Sequence, residues 1–448
     1  MASREQFSSR TGFVMAAAGS AIGLGNIWGF PTQTASHGGA AFVLVYVAMA
    51  FCLAYPALMA ELIIGRHARA NIVTALRGIT NGKASYHFGT VVGSYGVLVA
   101  SLILSFYAIV AGWMLAYLLE SLTDTVGWSD ASEWLTGFSF SRNLIFLALF
   151  MALTMAIIAR GVTSGIERWS TRLMPMLIIL LLLLIGYVIT QPGAAEGLRV
   201  YLLPDLSQIK AGLVLGAMGQ AFFSLSLGVG TMMIYGSYLS EQESLPKLGA
   251  VVTLFDTSIA FVAGLLIIPA VYVARHHGVS IFAEDGSLVA GPDLIFQVLP
   301  VLFDSMGGVG LLVAFAFFLL MSIAALTSSI SMLEVPVALV TEKTSVSRGK
   351  ATLWIGVLIF AVSIVILLNF GSLFGAVIDF STVYSQPMLG IMLCLFVGWI
   401  WHRDNLLQEI SKGHPGIEGT WFWRIWPFYV KFFCPLLILG TFIQSVTG

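Results

Sequence analysis

The sequence predicts an all-α polytopic membrane protein of eleven transmembrane helices, a five-plus-five inverted repeat with discontinuous helices 1 and 6. Three observations carry this expectation. The 448 residues are 58% hydrophobic and only 10% charged, far from soluble globular usage. Apolar stretches long enough to cross a bilayer recur along the whole chain. Two of those stretches are interrupted by glycine-rich segments at matching places in the two halves. Glycine costs roughly 1 kcal/mol relative to alanine inside a helix, and an unpaired backbone group in hydrocarbon costs more. Such interruptions need a reason.

The spans fall near 11–36, 40–65, 88–121, 143–160, 169–190, 211–238, 248–275, 305–340, 352–369, 373–401 and 424–446, some of them long enough to tilt. Lysine and arginine set the orientation. With the N-terminus inside, sixteen of them lie in or beside inside segments, whereas only Arg142, Arg199, Lys210 and Arg275 lie outside. The expected location is the cell's inner (plasma) membrane, with a cytoplasmic N-terminus and, from the odd number of spans, an external C-terminus. The long external loops at 122–142, 191–210 and 276–304 contain Trp128, Trp134, Pro192, Pro204 and Pro292, which favour short surface helices. Residues 1–448 read as one domain: a first repeat at 11–190, its inverted partner at 211–401 and an extra span at 424–446. The polar start "MASREQFSSR" has no signal-peptide cleavage pattern. Cys52, Cys394 and Cys434 sit in apolar runs without metal spacing and read as buried small hydrophobes. A net charge of −1 leaves no basic footprint for nucleic acid.

The first interruption is "GSAIGLGNIWGFP", residues 19–31, and the second is "GQAFFSLSLGVG", residues 219–230. Paired interruptions at corresponding positions point to a transporter built from inverted repeats, here spans 1–5 and 6–10. The competing reading is helix–helix contact, because the Gly19-to-Gly23 spacing also allows close packing. Two such segments at the matching position, flanked by Asn26, Ser224 and Ser226, favour the transporter. Unwinding frees backbone carbonyls for a hard cation such as Na⁺ and exposes half-helix N-termini suited to a carboxylate. Such backbone is tolerated at membrane depth only where it lines a cavity.

A third segment, "AALTSSISM" at 324–332, places Thr327 and Ser328 side by side in span 8, with Ser331 one turn on. Hydroxyls in membrane helices also bond back to their own carbonyls, so a structural role stays open. Ionisable residues inside spans default to functional candidates. They are Glu61, Asp256, Glu334 and Asp379, of which Glu334 also reads as a helix-end residue.

Together "GSAIGLGNIWGFP", "HGGAAF", "GQAFFSLSLGVG" and "ALTSSIS" resemble the neurotransmitter:sodium symporters, and specifically their bacterial eleven-helix branch that carries hydrophobic amino acids. The similarity runs through spans 1–10. Discontinuous helices are a property of this family, so the resemblance and the paired breaks are not independent. The resemblance implies one sodium site using Ala21, Asn26, Ser224 and Asp256, and a second at Gly19, Ile22, Ala324, Thr327 and Ser328. It implies that a substrate carboxylate meets the backbone of Gly23, Leu24 and Gly25 and the Tyr107 hydroxyl. The substrate amino group would meet Ala21, Phe223, Ser224 and Ser226. The side-chain pocket would comprise Ile103, Tyr107, Phe223, Val229, Ser328 and Met332.

Three departures stand out. The family's outer-gate arginine after "NIW" is Gly29 here, although the matching acid Asp379 remains; Gln33 is expected to act there through hydrogen bonds. The inner-gate pair is Arg4 with Glu342, where the family more often has aspartate. Chloride-dependent members carry serine at the position of Ala260 and a neutral residue at that of Asp256. Gly165 and Pro175 in span 5 match positions that permit local unwinding in the family.

The implied function is sodium-coupled import of neutral hydrophobic amino acids (leucine, isoleucine, methionine, phenylalanine, tyrosine and tryptophan) by alternating access, without chloride. Its partners are the amino acid, two sodium ions and the bilayer. The pocket candidates are apolar, so a charged side chain would be buried unpaired. Val229 stands where relatives often have phenylalanine, leaving room for a large side chain, and Met332 can repack. The alternative is a non-transporting amino-acid sensor on the same scaffold; sensors generally carry an appended soluble domain, and none is expected here. No enzyme is expected, since no His/acid/Ser or metal constellation recurs among the spans.

Overall fold

The computed structural model describes residues 4–80, 82–125, 127–281 and 293–447, which contain helices and no strand. Among the described residues, nine helices are long and apolar enough to cross a membrane unbroken. They are span 2 (Ala40–Ala68), span 3 (Lys83–Thr123), span 4 (Phe140–Ile158), span 5 (Val162–Val188) and span 7 (Leu245–His276). Span 8 (Gly308–Lys343), span 9 (Arg348–Leu368), span 10 (Phe370–Ile400) and span 11 (Trp421–Val446) complete them. Most ends lie within a few residues of the apolar stretches; span 5 begins earlier because Val162–Glu167 adds a π-helical turn ahead of its straight part.

The other two spans are the broken ones. Span 1 consists of Arg10–Ala21 and Gly25–Ser36, which meet at 57°. Ile22 ends the first half in an extended conformation, at φ −76° and ψ 95°. Span 6 consists of Ala211–Ser224 and Thr231–Ser237, with residues 225–230 non-helical between them. Ser226, Gly228 and Gly230 there have φ of 52°, 87° and 81°. Glycine adopts that left-handed region without steric cost, whereas Ser226 holds it against its own Cβ.

Glu61 of span 2 secures the second break. Its Oε1 accepts from the Gly228 N–H at 2.7 Å and its Oε2 from the Met233 N–H at 3.3 Å. The buried acid therefore satisfies backbone donors that the broken helix leaves orphaned. Span 8 packs along span 3 and against the first half of span 1, which brings its hydroxyls to the first break.

Short helices occupy the three long loops, at Ser129–Thr136, Ala194–Leu202 and Leu294–Ser305. Pro292 lies outside the described residues. Two more helices, Ile72–Gly78 and Arg403–Ser411, sit in the links after spans 2 and 10. The cysteine expectation needs one correction: Cys394 and Cys434 are buried, but Cys52 is exposed. An apolar run inside a membrane places a side chain in lipid as readily as in the protein core.

Candidate functional site

The two breaks face each other across one small cavity of about 60 Å³. Ala21, Gly23, Leu24 and Gly25 line it from span 1, Ile103 and Tyr107 from span 3, and Phe223, Ser224, Ser226 and Val229 from span 6. Ser328 and Met332 close it from span 8. All twelve side-chain and backbone positions expected around a substrate thus converge on a single space. Phe106 and Gln386 join them, unforeseen from the sequence.

Close approach accounts for the glycines. A Cβ on Gly23 would lie 2.6 Å from Ser328 Oγ and 2.9 Å from the Tyr107 hydroxyl, and one on Gly25 would lie 2.9 Å from the Phe223 ring. The Leu24 N–H donates to the Tyr107 hydroxyl at 3.4 Å. The backbone N–H groups at the start of the second half of span 1 and this phenol form a donor set suited to a carboxylate.

Beside the cavity, Asn26, Ser224 and Asp256 form a buried polar triangle. Asn26 Nδ2 donates to Asp256 Oδ1 at 2.7 Å and to Ser224 Oγ at 3.0 Å. Ser224 Oγ donates to Asp256 Oδ2 at 2.8 Å, and the Tyr46 hydroxyl donates to Ser224 Oγ at 3.2 Å. One carboxylate among neutral oxygens in a dry site is a hard-oxygen environment that a monovalent cation would neutralise. Tyr46 was not foreseen, since a tyrosine within an apolar run carries no spacing signal.

At the other side of span 1, Ser328 Oγ donates weakly to the carbonyls of Gly19 and Ile22, at 3.3 and 3.4 Å. Thr327 Oγ1 bonds back to the Ile323 and Ala324 carbonyls at 3.1 and 3.0 Å. Thr327 thus back-bonds within its own helix, while Ser328 reaches across to the broken helix. Ser328 Oγ lies beside the Gly19 and Ile22 carbonyls, and Thr327 Oγ1 beside the Ala324 carbonyl. Ser20 Oγ donates to Ser331 Oγ at 2.7 Å just beyond.

The gate candidates divide. Arg4 Nη1 forms an ion pair with Glu342 Oε1, closing the N-terminal end. Asp379 is exposed and makes no ion pair or hydrogen bond through its side chain among the described residues, and none joins it to Gln33. Gln33 instead lines a larger space of about 530 Å³, with Gln220, Phe223, Thr382 and Gln386. Phe223 and Gln386 line both spaces, so they form the partition between this vestibule and the central cavity. Glu334 is not a helix-end residue: it is fully buried within span 8 and bridges Arg348 and Tyr238.

The description "Sodium:neurotransmitter symporter family" matches residues 4–142 and 136–448 of the chain. The chain belongs to this family. The symporter is 35% identical to an uncharacterised sodium-dependent transporter of Bacillus subtilis, an alignment covering 98% of this chain and 97% of that protein. It is 26% identical to the sodium-dependent serotonin transporter of Drosophila melanogaster, covering 99% and 77% respectively. The crystal structure of MhsT in complex with L-phenylalanine matches the symporter's fold with a TM-score of 0.84 at 38% identity, covering 99% of this chain and all of that one. The symporter is a multi-pass, sodium-dependent membrane transporter with the five-plus-five fold, and its relatives are transporters, not enzymes.

Proposed function

We propose that this symporter imports neutral hydrophobic amino acids (leucine, isoleucine, methionine, phenylalanine, tyrosine and tryptophan) together with sodium, by alternating access and without chloride. The observation that carries the reading is the convergence of twelve expected residues on one cavity between two oxygen-rich pockets. The MhsT structure, at 38% identity, contains L-phenylalanine, which supports an amino-acid substrate with a large apolar side chain. In this reading Ala21, Asn26, Ser224 and Asp256 hold one sodium ion, and Gly19, Ile22, Ala324, Thr327 and Ser328 hold the other. The N-terminus is cytoplasmic, the C-terminus external, and the chain one domain with repeats at 11–190 and 211–401 in the inner membrane.

The central cavity, at about 60 Å³, is smaller than an amino acid, so binding requires the partition to give way. Phe223, which is 41% exposed and lines the vestibule, is the part proposed to move. The driving force is adequate. Each Na⁺ entering down ~100 mV supplies about 2.3 kcal/mol, and a roughly tenfold gradient adds about 1.4 kcal/mol.

The deciding experiment is uptake of labelled leucine into proteoliposomes with and without a sodium gradient. Sodium-driven accumulation supports symport; equal binding with no accumulation would make the chain a sensor on this scaffold. Replacing chloride by gluconate should leave the rate similar, because Asp256 supplies beside the first ion the negative charge that chloride would otherwise provide. Strict chloride dependence would remove Asp256 from that role. The double variant Thr327→Ala with Ser328→Ala should lose sodium-stimulated binding while remaining folded.

A further inference from the structure

Gln386 of span 10 is 3% exposed and sits in the partition, lining both the central cavity and the vestibule. Its amide oxygen, Oε1, is buried and has no hydrogen-bond partner among the described residues. A buried acceptor with no donor bears its full desolvation penalty, and most buried polar atoms avoid that state. An aliphatic side chain of similar volume would fill the same place without the penalty. Span 10 lies hard against the second break here, since a Cβ on Gly228 would fall 2.4 Å from the Gln386 carbonyl oxygen. The glutamine's backbone is thereby fixed beside Gly228, next in the chain to Val229. Ile103, Phe106, Val229 and Met332 are among the apolar side chains of the same cavity.

We propose that Gln386 is a specificity-determining residue whose amide oxygen accepts a hydrogen bond from the tip of an aromatic substrate side chain. The donors that fit are an indole N–H or a phenol O–H. Phe106 and Phe223 supply ring faces for the aromatic body, and Gln386 reads its polar edge. This inference rests on the proposed function, namely that the cavity holds an amino acid with its side chain towards Val229. An analogue lacking the donor leaves the acceptor unpaired and therefore binds more weakly than its donor-bearing counterpart.

The test is displacement of labelled leucine uptake in proteoliposomes holding the full chain, using tryptophan against 1-methyltryptophan and tyrosine against phenylalanine. Tryptophan is expected to displace about tenfold better than its N-methylated analogue, and tyrosine better than phenylalanine. Gln386→Leu should bring each pair within about twofold, read as the ratio within each pair. Equal displacement by the two members of each pair in the unmodified protein overturns the inference, and that comparison stands even if the variant does not fold. Equal weakening of leucine and tryptophan in Gln386→Leu also overturns it, by making the residue a packing element. If the unmodified protein takes up no leucine with sodium, the proposed function fails, and this inference fails with it.

Discussion

The two ends of the path through the bundle are built from different chemistry. At the N-terminal end, Arg4 pairs with Glu342, donates to Ser237 Oγ at 2.7 and 3.1 Å, and lies 4.7 Å over the Tyr238 ring. The Asn71 backbone and side-chain N–H groups hold the other Glu342 oxygen at 2.7 and 2.8 Å. Tyr238 donates to Glu334 Oε1 and Arg348 to Glu334 Oε2, both at 2.5 Å. The opposite end has neutral amides instead. Gln220 Nε2 donates to the Gly25 carbonyl at 3.1 Å, Asp379 is exposed, and position 29 has no side chain. Charges taken out of water in good geometry are hard to separate, whereas a neutral amide contact such as that of Gln220 with Gly25 is cheaper to break. The N-terminal end is the one held by ion pairs.

The largest expected effect comes from breaking the lock at its buried core. The Glu334 side chain is 0% and the Arg348 side chain 18% exposed. Glu334→Ala leaves that arginine almost buried without its acid and should cost about 3–5 kcal/mol, read as a lower melting temperature in detergent. Glu334→Gln keeps a partner for Tyr238 and should fall between the two. A melting temperature for Glu334→Ala equal to that of the unmodified protein would show that the pair is not holding this end.

Arg4→Ala attacks the same lock nearer to water. Its pair is 15% and 29% exposed, so solvent screening reduces the effect to about 1–2 kcal/mol. That corresponds to a shift of about five- to thirtyfold towards the state open at the N-terminal end. Faster amide hydrogen exchange over residues 4–9 and 71–78 would report it. Unchanged exchange there would place the lock in Glu334 and Arg348 alone.

The lock and the cavity are legible in the sequence to different degrees. The broken helices can be read because a glycine run in mid-membrane is costly unless its freed backbone is put to use, and their neighbours Asn26 and Ser224 come with them. Motif order then places Ile103, Tyr107 and Met332, which no local pattern singles out. Gln220 and Gln386 give a weaker signal than an ionisable group, although a lone amide inside a span is itself polar and costly. Glu334 is ambiguous for a different reason. Its partner Arg348 lies across a turn in the next helix, and only the tertiary fold reveals that the acid is deep rather than terminal. The helix Arg403–Ser411 escapes a sequence reading because it is too short and polar to give an apolar stripe.

That short helix allows a further test at the N-terminal end. Glu409 is gripped by Arg66 Nε at 2.8 Å, Lys412 Nζ at 3.0 Å and His67 Nδ1 at 3.3 Å. Burial raises its carboxyl, but hydrogen bonds from His67, Lys412 and Arg66 outweigh that and lower it from 4.5 to about 2. A carboxyl depressed in the folded state stabilises fully above its unfolded value and loses that contribution as pH falls towards its folded value. Glu409→Gln leaves the buried Arg66 without its acid and should therefore lower stability at pH 7 by about 3 kcal/mol. The gap between variant and unmodified protein should narrow as pH drops from 4.5, followed by thermal melting. A gap independent of pH would mean that the carboxylate's charge is not what matters.

Gly29→Arg tests the comparison from its other side by giving the open end a charge. The substitution is sterically permitted: a Cβ at position 29 would meet only the Gln220 amide, at 3.8 and 3.9 Å, which is ordinary contact. The new guanidinium would have the exposed carboxylate of Asp379 as its acid at this end. Exposed pairs contribute about 0–1 kcal/mol and are weakened by salt within a Debye length of about 10 Å at 0.1 M. The expected outcome is thus small, a gain of up to about fivefold in substrate affinity at low ionic strength. It should vanish when ionic strength is raised with choline chloride at constant sodium, because sodium is itself a ligand here. Hydrogen exchange over residues 71–78 should stay as in the unmodified protein, since the lock at the other end is untouched. A gain that persists in salt would show that the arginine acts through Gln220 and the cavity wall rather than through charge. An affinity change accompanied by faster exchange at 71–78 would show instead that the two ends share one closing motion, with the ion pairs of one end responding to the amides of the other.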